Sequence, residues 1–160
     1  MKTLSSHAAA AKMIRQELKT SFPEIVFSVK SRSYSGGCSI DVRYTNGPTE
    51  DLITPIIEKY EMGSFCGMQD LYEYTNRNDN IPQVKYVFLT RDITDDILAA
   101  CFAYVQKSYC YFDSVSSMEE TSEIIMKHWN AWTGRQFVCR LLNKYDLTKG
   151  FIPKETDEGR

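Results

Sequence analysis

Two short runs of alternating residues, joined by glycines, limit the fold more than anything else in the chain. From Ile25 to Ser33, Phe27 and Val29 alternate with Ser28, Lys30 and Arg32; from Cys38 to Tyr44, Cys38, Ile40, Val42 and Tyr44 alternate with Ser39, Asp41 and Arg43. A two-residue period is that of a strand with one buried face. Tyr34-Ser35-Gly36-Gly37 lies between the runs, and glycines accept the positive φ angles of a tight reversal. The pattern predicts an antiparallel hairpin whose outer face carries Lys30, Arg32 and Arg43, with Tyr34 at its tip.

Helical patterns flank this hairpin. Ala10, Ile14 and Leu18 recur at four-residue spacing behind a cap at Ser5 or Ser6, and Pro23 ends that helix. After Asn46-Gly47-Pro48, the residues Leu52, Ile53, Ile56, Ile57 and Tyr60 form a second stripe. Pro55 either kinks a helix begun at Thr49 or opens one capped by Thr54. The segment from Glu61 to Tyr74 reads as an exit turn and connector, followed by a polar loop from Asn76 to Asn80.

Val84 to Thr90 is almost continuously apolar, as a central strand covered on both faces would be. Thr94, Asp95 and Asp96 start a helix that buries Ile97, Leu98, Cys101, Phe102 and Val105. Two capping-box spacings, Ser117 with Glu120 and Thr133 with Gln136, predict a C-terminal helical hairpin joined at Thr133-Gly134. The expected fold is α+β: an N-terminal helix on a small, mostly antiparallel sheet of about three strands, with covering helices and the C-terminal helical hairpin. The expected division is an α+β domain over 1–112, the hairpin over 113–147 packed on it, and a mobile tail over 148–160.

Composition removes several classes of function. The formal charge of −2 gives no overall drive toward nucleic acid or anionic lipid, although the residues through Pro48 hold seven Lys or Arg against three acids. The five cysteines are odd in number and contain no C-x-x-C pair, which disfavours a disulfide framework or a thiolate zinc site. No signal-peptide core or membrane-length apolar run is present, so a cytoplasmic location is expected.

Reactive motifs are equally scarce. The chain has no phosphate-binding loop, dinucleotide fingerprint, H-E-x-x-H or G-x-S-x-G. A Cys66 and His128 nucleophile pair stays open, since such partners meet in space and not in sequence. Asp70, Glu73, Arg91, Asp92, Asp95 and Asp96 could build a divalent-ion or hydrolytic site, but caps and solvated turns explain these acids with fewer assumptions. No catalytic residue, metal or cofactor is expected.

Four stretches carry a resemblance: AAKMIRQELKTSFPEIVFSVKS, SIDVRYTNGPT, GSFCGMQDLYEY and VKYVFLTRDIT. Over about residues 8–94 the chain resembles the large polyvalent-protein-associated domain number 29, known from proteins of phages and conjugative plasmids. The family pattern has an acidic residue where Cys66 stands, so the resemblance implies no role for sulfur. It implies a mobile-element context and supplies no catalytic residue set.

The expected function is therefore that of a non-enzymatic accessory protein of a plasmid, prophage or other mobile element. It would bind a host or element-encoded protein, with counter-defence as one setting. The contact residues would be the turn surface of Asn46, Gly47, Phe65, Met68 and Asp70, or the aromatic cluster of Tyr104, Tyr109 and Tyr111. The alternative is a nucleic-acid-binding module using the basic first helix and Lys30, Arg32, Tyr34 and Arg43. That sheet face lacks the aromatic stacking pair that sheet-based RNA readers use.

Overall fold

The computed structural model describes residues 5–109, 112, 115, 117–119 and 133–153. They form two compact units. One comprises Met1–Thr45 with Glu50–Asp92, and the other Asn46–Thr49 with Ile93–Arg160. The chain thus leaves the first unit for four residues and then returns to it.

The first unit begins with α1 (Ser6–Ser21), which buries Ala10, Ala11, Ile14 and Leu18 on one side. Ser5 occupies the cap position, but its hydroxyl hydrogen-bonds the His7 ring at 3.1 Å instead of capping the helix. Strands β1 (Ser28–Tyr34) and β2 (Gly37–Thr45) form the expected antiparallel hairpin, with Tyr34 opposite Gly37 across the two-residue turn. Helix α2 (Glu50–Ile57) starts directly after Thr49 and contains Pro55, so Pro55 does not open the helix behind a Thr54 cap. Thr54 Oγ1 donates to the Glu50 carbonyl at 2.9 Å in its interior.

Strand β5 (Tyr86–Asp92) then pairs with β2 in parallel. A parallel pair needs a crossover connection, and the α2 segment supplies it. The sheet order is β1-β2-β5. The apolar run is therefore an edge strand and β2 the central one, the reverse of what its hydropathy suggests. Ile40, Val42 and Tyr44 of β2 lie in the core with Val29, and β5 adds Val87 and Leu89 from the same face. Each buried Val, Ile or Leu contributes about 1.5–3 kcal/mol.

Where the sequence suggests only a connector, the chain makes a second, two-stranded sheet from β3 (Ser64–Cys66) and β4 (Leu71–Glu73). Two of the three ladders are thus antiparallel. The four residues between β3 and β4 close with a Gln69 N–H to Cys66 carbonyl bond, and Asp70 takes a left-handed φ of 51°. Gly63 permits this hairpin: a Cβ there would stand 1.8 Å from the Glu73 carbonyl oxygen.

Two further groups fasten the first unit. Glu17 of α1 accepts from Lys59 Nζ and from the hydroxyl of the buried Tyr60, both at 2.9 Å. Gln83 holds the polar loop: its amide donates to the Lys59 and Asn76 carbonyls, and its oxygen accepts from the Asn78 N–H.

The second unit is built on α3 (Asp95–Ser108) and α4 (Gly134–Leu142). The predicted stripe of α3 is buried as a set, and with it Phe137, Val138, Leu141, Leu142, Tyr145 and Leu147. Thr133 caps α4 through its side chain, accepting from the Gln136 N–H at 3.3 Å. The helix expected after Ser117, with Trp129 and Trp132, lies outside the described residues. Beyond Asp146, Leu147 is buried and Phe151 packs against Tyr104 and Tyr145.

Candidate functional site

The register of the larger sheet sets out its outer face. Cross-strand partners share a face, so Arg32, Ser39 and Tyr86 form one row, Lys30, Asp41 and Phe88 a second, and Ser28, Arg43 and Thr90 a third. Because Val87 and Leu89 point into the core, Tyr86 and Phe88 point the other way. Their rings are stacked, with centroids 6.0 Å apart and planes 14° from parallel, and Phe88 is 52% exposed.

The aromatic row continues onto β4. Tyr72 meets Tyr86 edge-on at 5.3 Å and Tyr74 at 5.0 Å. Lys85 Nζ lies 5.1 Å from the Tyr72 ring centre and 5.4 Å from that of Tyr86. The Tyr72 hydroxyl donates to the Lys85 carbonyl. Burial, with Glu61 nearby, pushes the Tyr72 phenol up to about 12, so it stays a neutral donor at ordinary pH.

The cations beside these rings are exposed. Arg32 Nε lies 3.2 Å from Asp41 Oδ2 and Arg43 Nε 3.7 Å from Asp92 Oδ2. Lys30, Arg32, Asp41, Arg43 and Thr90 line a shallow depression. Tyr34 is also exposed, at the end of β1. The four nucleic-acid candidates thus lie on one sheet, and the aromatic pair missing from β1 and β2 is supplied by β5. Tyr86 and Phe88 are the residues that sequence reasoning missed. Their signal was an aromatic pair two positions apart, masked by the apolar Val87 and Leu89 that alternate with them.

The candidates from the turns divide between the two units. Asn46 (φ 55°) and Gly47 (φ 68°) belong to the second. Asn46 Oδ1 accepts from the Thr94 N–H at 3.1 Å, and its amide nitrogen donates to the Thr94 hydroxyl at the same distance. The Gly47 carbonyl accepts from the Leu147 N–H at 2.7 Å, and Gly47 is buried. Phe65, Met68 and Asp70 belong to the first unit and are exposed on the β3–β4 hairpin, Met68 almost completely at 99%.

Of the tyrosine cluster, Tyr104 is half-buried against Phe151, and Tyr109 is 6% exposed with its ring edge-on to Phe137. Tyr111 lies outside the described residues, as does His128, so the geometry of a Cys66–His128 pair does too. Cys66 itself is half-buried opposite Leu71. Among the described residues, no group of three His, Cys, Asp or Glu side chains is arranged to hold a metal ion. Among the same residues, no helix is long and apolar enough to cross a membrane.

Fold and surface together define a small α+β domain that presents side chains on one sheet face and one hairpin. Residues 5–95 match the family model of the large polyvalent protein associated domain 29, and the chain belongs to that family. The family is associated with polyvalent proteins of mobile elements. Neither the curated proteins nor the solved structures include a match.

Proposed function

We propose that the chain is a non-enzymatic accessory module of a plasmid or prophage that binds a host or element-encoded protein through the β3–β4 hairpin. One observation carries this reading. Phe65, Met68, Leu71 and Tyr74 are all more than half exposed within a ten-residue stretch. Exposed apolar side chains concentrated in one short segment are typical of contact sites, and Met and aromatic residues are enriched there. Met68 in particular adapts its shape to a partner at little cost. The mobile-element context supports a role in counter-defence, carried out in the cytoplasm.

The test places a photo-crosslinker at Met68 of the full chain, expressed in a cell carrying the mobile element. A discrete protein adduct is expected, and it should disappear when Phe65→Ser and Leu71→Ser are added. Both serine changes are on the surface and should alter folding stability by no more than about 0.5 kcal/mol. No adduct, or one that persists in the folded double variant, would count against the hairpin as the contact.

A further inference from the structure

We propose that the outer face of the β1-β2-β5 sheet, with stacked Tyr86 and Phe88 beside Lys30, Arg32 and Arg43, binds single-stranded nucleic acid. This assigns a second surface, independent of the hairpin reading above. Three features support it.

The rings come first. Phe88, 52% exposed and stacked nearly parallel on Tyr86 at 6.0 Å, offers a platform to a base that is not paired. In a duplex the base faces are covered by their neighbours, so such platforms favour a single strand. Tyr72, edge-on to Tyr86 and bonded to the Lys85 carbonyl, holds the Tyr86 ring in place.

Charge is the second feature. Lys30 is level with Phe88, Arg32 with Tyr86, and Arg43 with Thr90, so a backbone running along β5 would pass each cation in turn. Counting Lys85, the face holds four cations against Asp41 and Asp92. The third feature is how weakly the arginines are held. Both guanidinium groups are solvent-exposed, and the Arg43–Asp92 pair, 3.7 Å long and exposed on both sides, contributes little to stability. Exchange of a carboxylate for a phosphate is therefore inexpensive, and Arg meets phosphate oxygens with a matching fork of donors.

Fluorescence anisotropy of the full chain with labelled oligonucleotides of about 12 nucleotides, deoxythymidine and uridine in parallel, tests the proposal. Binding of either single strand is expected, with the duplex of the same length about ten-fold weaker or worse. A double-logarithmic salt slope of about −2 corresponds to the three cations of β1 and β2. Phe88→Ala should weaken binding about five-fold or more, and Phe88→Leu, which keeps apolar volume, should do the same. Asp41→Asn should tighten binding and steepen the slope, since it removes a carboxylate from between Lys30 and Arg32.

Several results would overturn the proposal. These are no binding of any single strand at low salt by protein whose circular dichroism shows it folded, equal affinity for duplex, or unchanged affinity in folded Phe88→Leu. Displacement of the oligonucleotide by polyglutamate at equal charge concentration would overturn it as well, assigning the face to an acidic polypeptide. None of the changed residues belongs to the β3–β4 hairpin, so failure here leaves the protein-contact reading standing, and the reverse also holds.

Discussion

Asn46 and Thr94, 48 positions apart, are joined by a pair of hydrogen bonds: the Asn46 oxygen accepts from the Thr94 N–H, and its amide nitrogen donates to the Thr94 hydroxyl, each at 3.1 Å. Thr94 is the residue that starts α3, so the turn after β2 organises the first turn of a distant helix. Asn is suited to this because it tolerates the left-handed φ and still offers both a donor and an acceptor. Asn46→Gly keeps the backbone freedom and loses the side-chain bonds, at a cost of about 1–2 kcal/mol. Asn46→Ala should cost about 1 kcal/mol more, because its Cβ opposes the left-handed φ. Urea unfolding of both variants measures the difference; equal stability of the two would contradict this account.

Gln83 offers a sharper test of polar satisfaction. It is 4% exposed, and its side chain serves the Lys59 carbonyl, the Asn76 carbonyl and the Asn78 N–H at 2.7–2.8 Å. Gln83→Leu leaves all three backbone groups without that partner, and the expected loss is about 2–4 kcal/mol. Gln83→Glu retains the acceptor but not the donors and should fall between wild type and Leu. Thermal unfolding decides the order, and Gln83→Leu at wild-type stability would refute the role given to this amide.

Glu61 predicts a pH effect. Burial raises its carboxyl pKa, outweighing the Val87 N–H bond that favours the charged form. A carboxyl whose pKa is higher folded than unfolded stabilises the fold below its unfolded value, about 4.3, and that stability is lost as pH rises through the folded pKa. Glu61→Gln, which mimics the protonated form, should therefore raise the unfolding midpoint at pH 7 and give no gain near pH 4. Melting curves across that range check the sign; a uniform loss at every pH would overturn it. The same change should lower the Tyr72 pKa, readable by alkaline absorbance titration, because Glu61 contributes to its rise.

Much of the fold is written locally. The α1 stripe of Ala10, Ile14 and Leu18, the β1–β2 hairpin closed by Ser35-Gly36, the buried set of α3 and the Thr133 cap all follow from spacing and turn chemistry within a few residues. The family match over 5–95 agrees with the resemblance carried by the four short stretches. The β3–β4 hairpin was not legible, because strands of three residues offer no period to detect and its left-handed position is filled by Asp70, not by glycine.

The sheet face divides the two sources of information most clearly. Alternation alone placed Lys30, Arg32 and Arg43 on the solvent side of β1 and β2, since each of those strands has one polar and one apolar face. It could not place Tyr86 and Phe88. A strand in which both alternating sets are apolar has no preferred face until a neighbour is chosen, and that neighbour, β2, lies more than forty residues earlier in the chain. Only the tertiary pairing, which puts Val87 beside Ile40 and Leu89 beside Val42 in the core, turned the two aromatic rings outward into the row of cations.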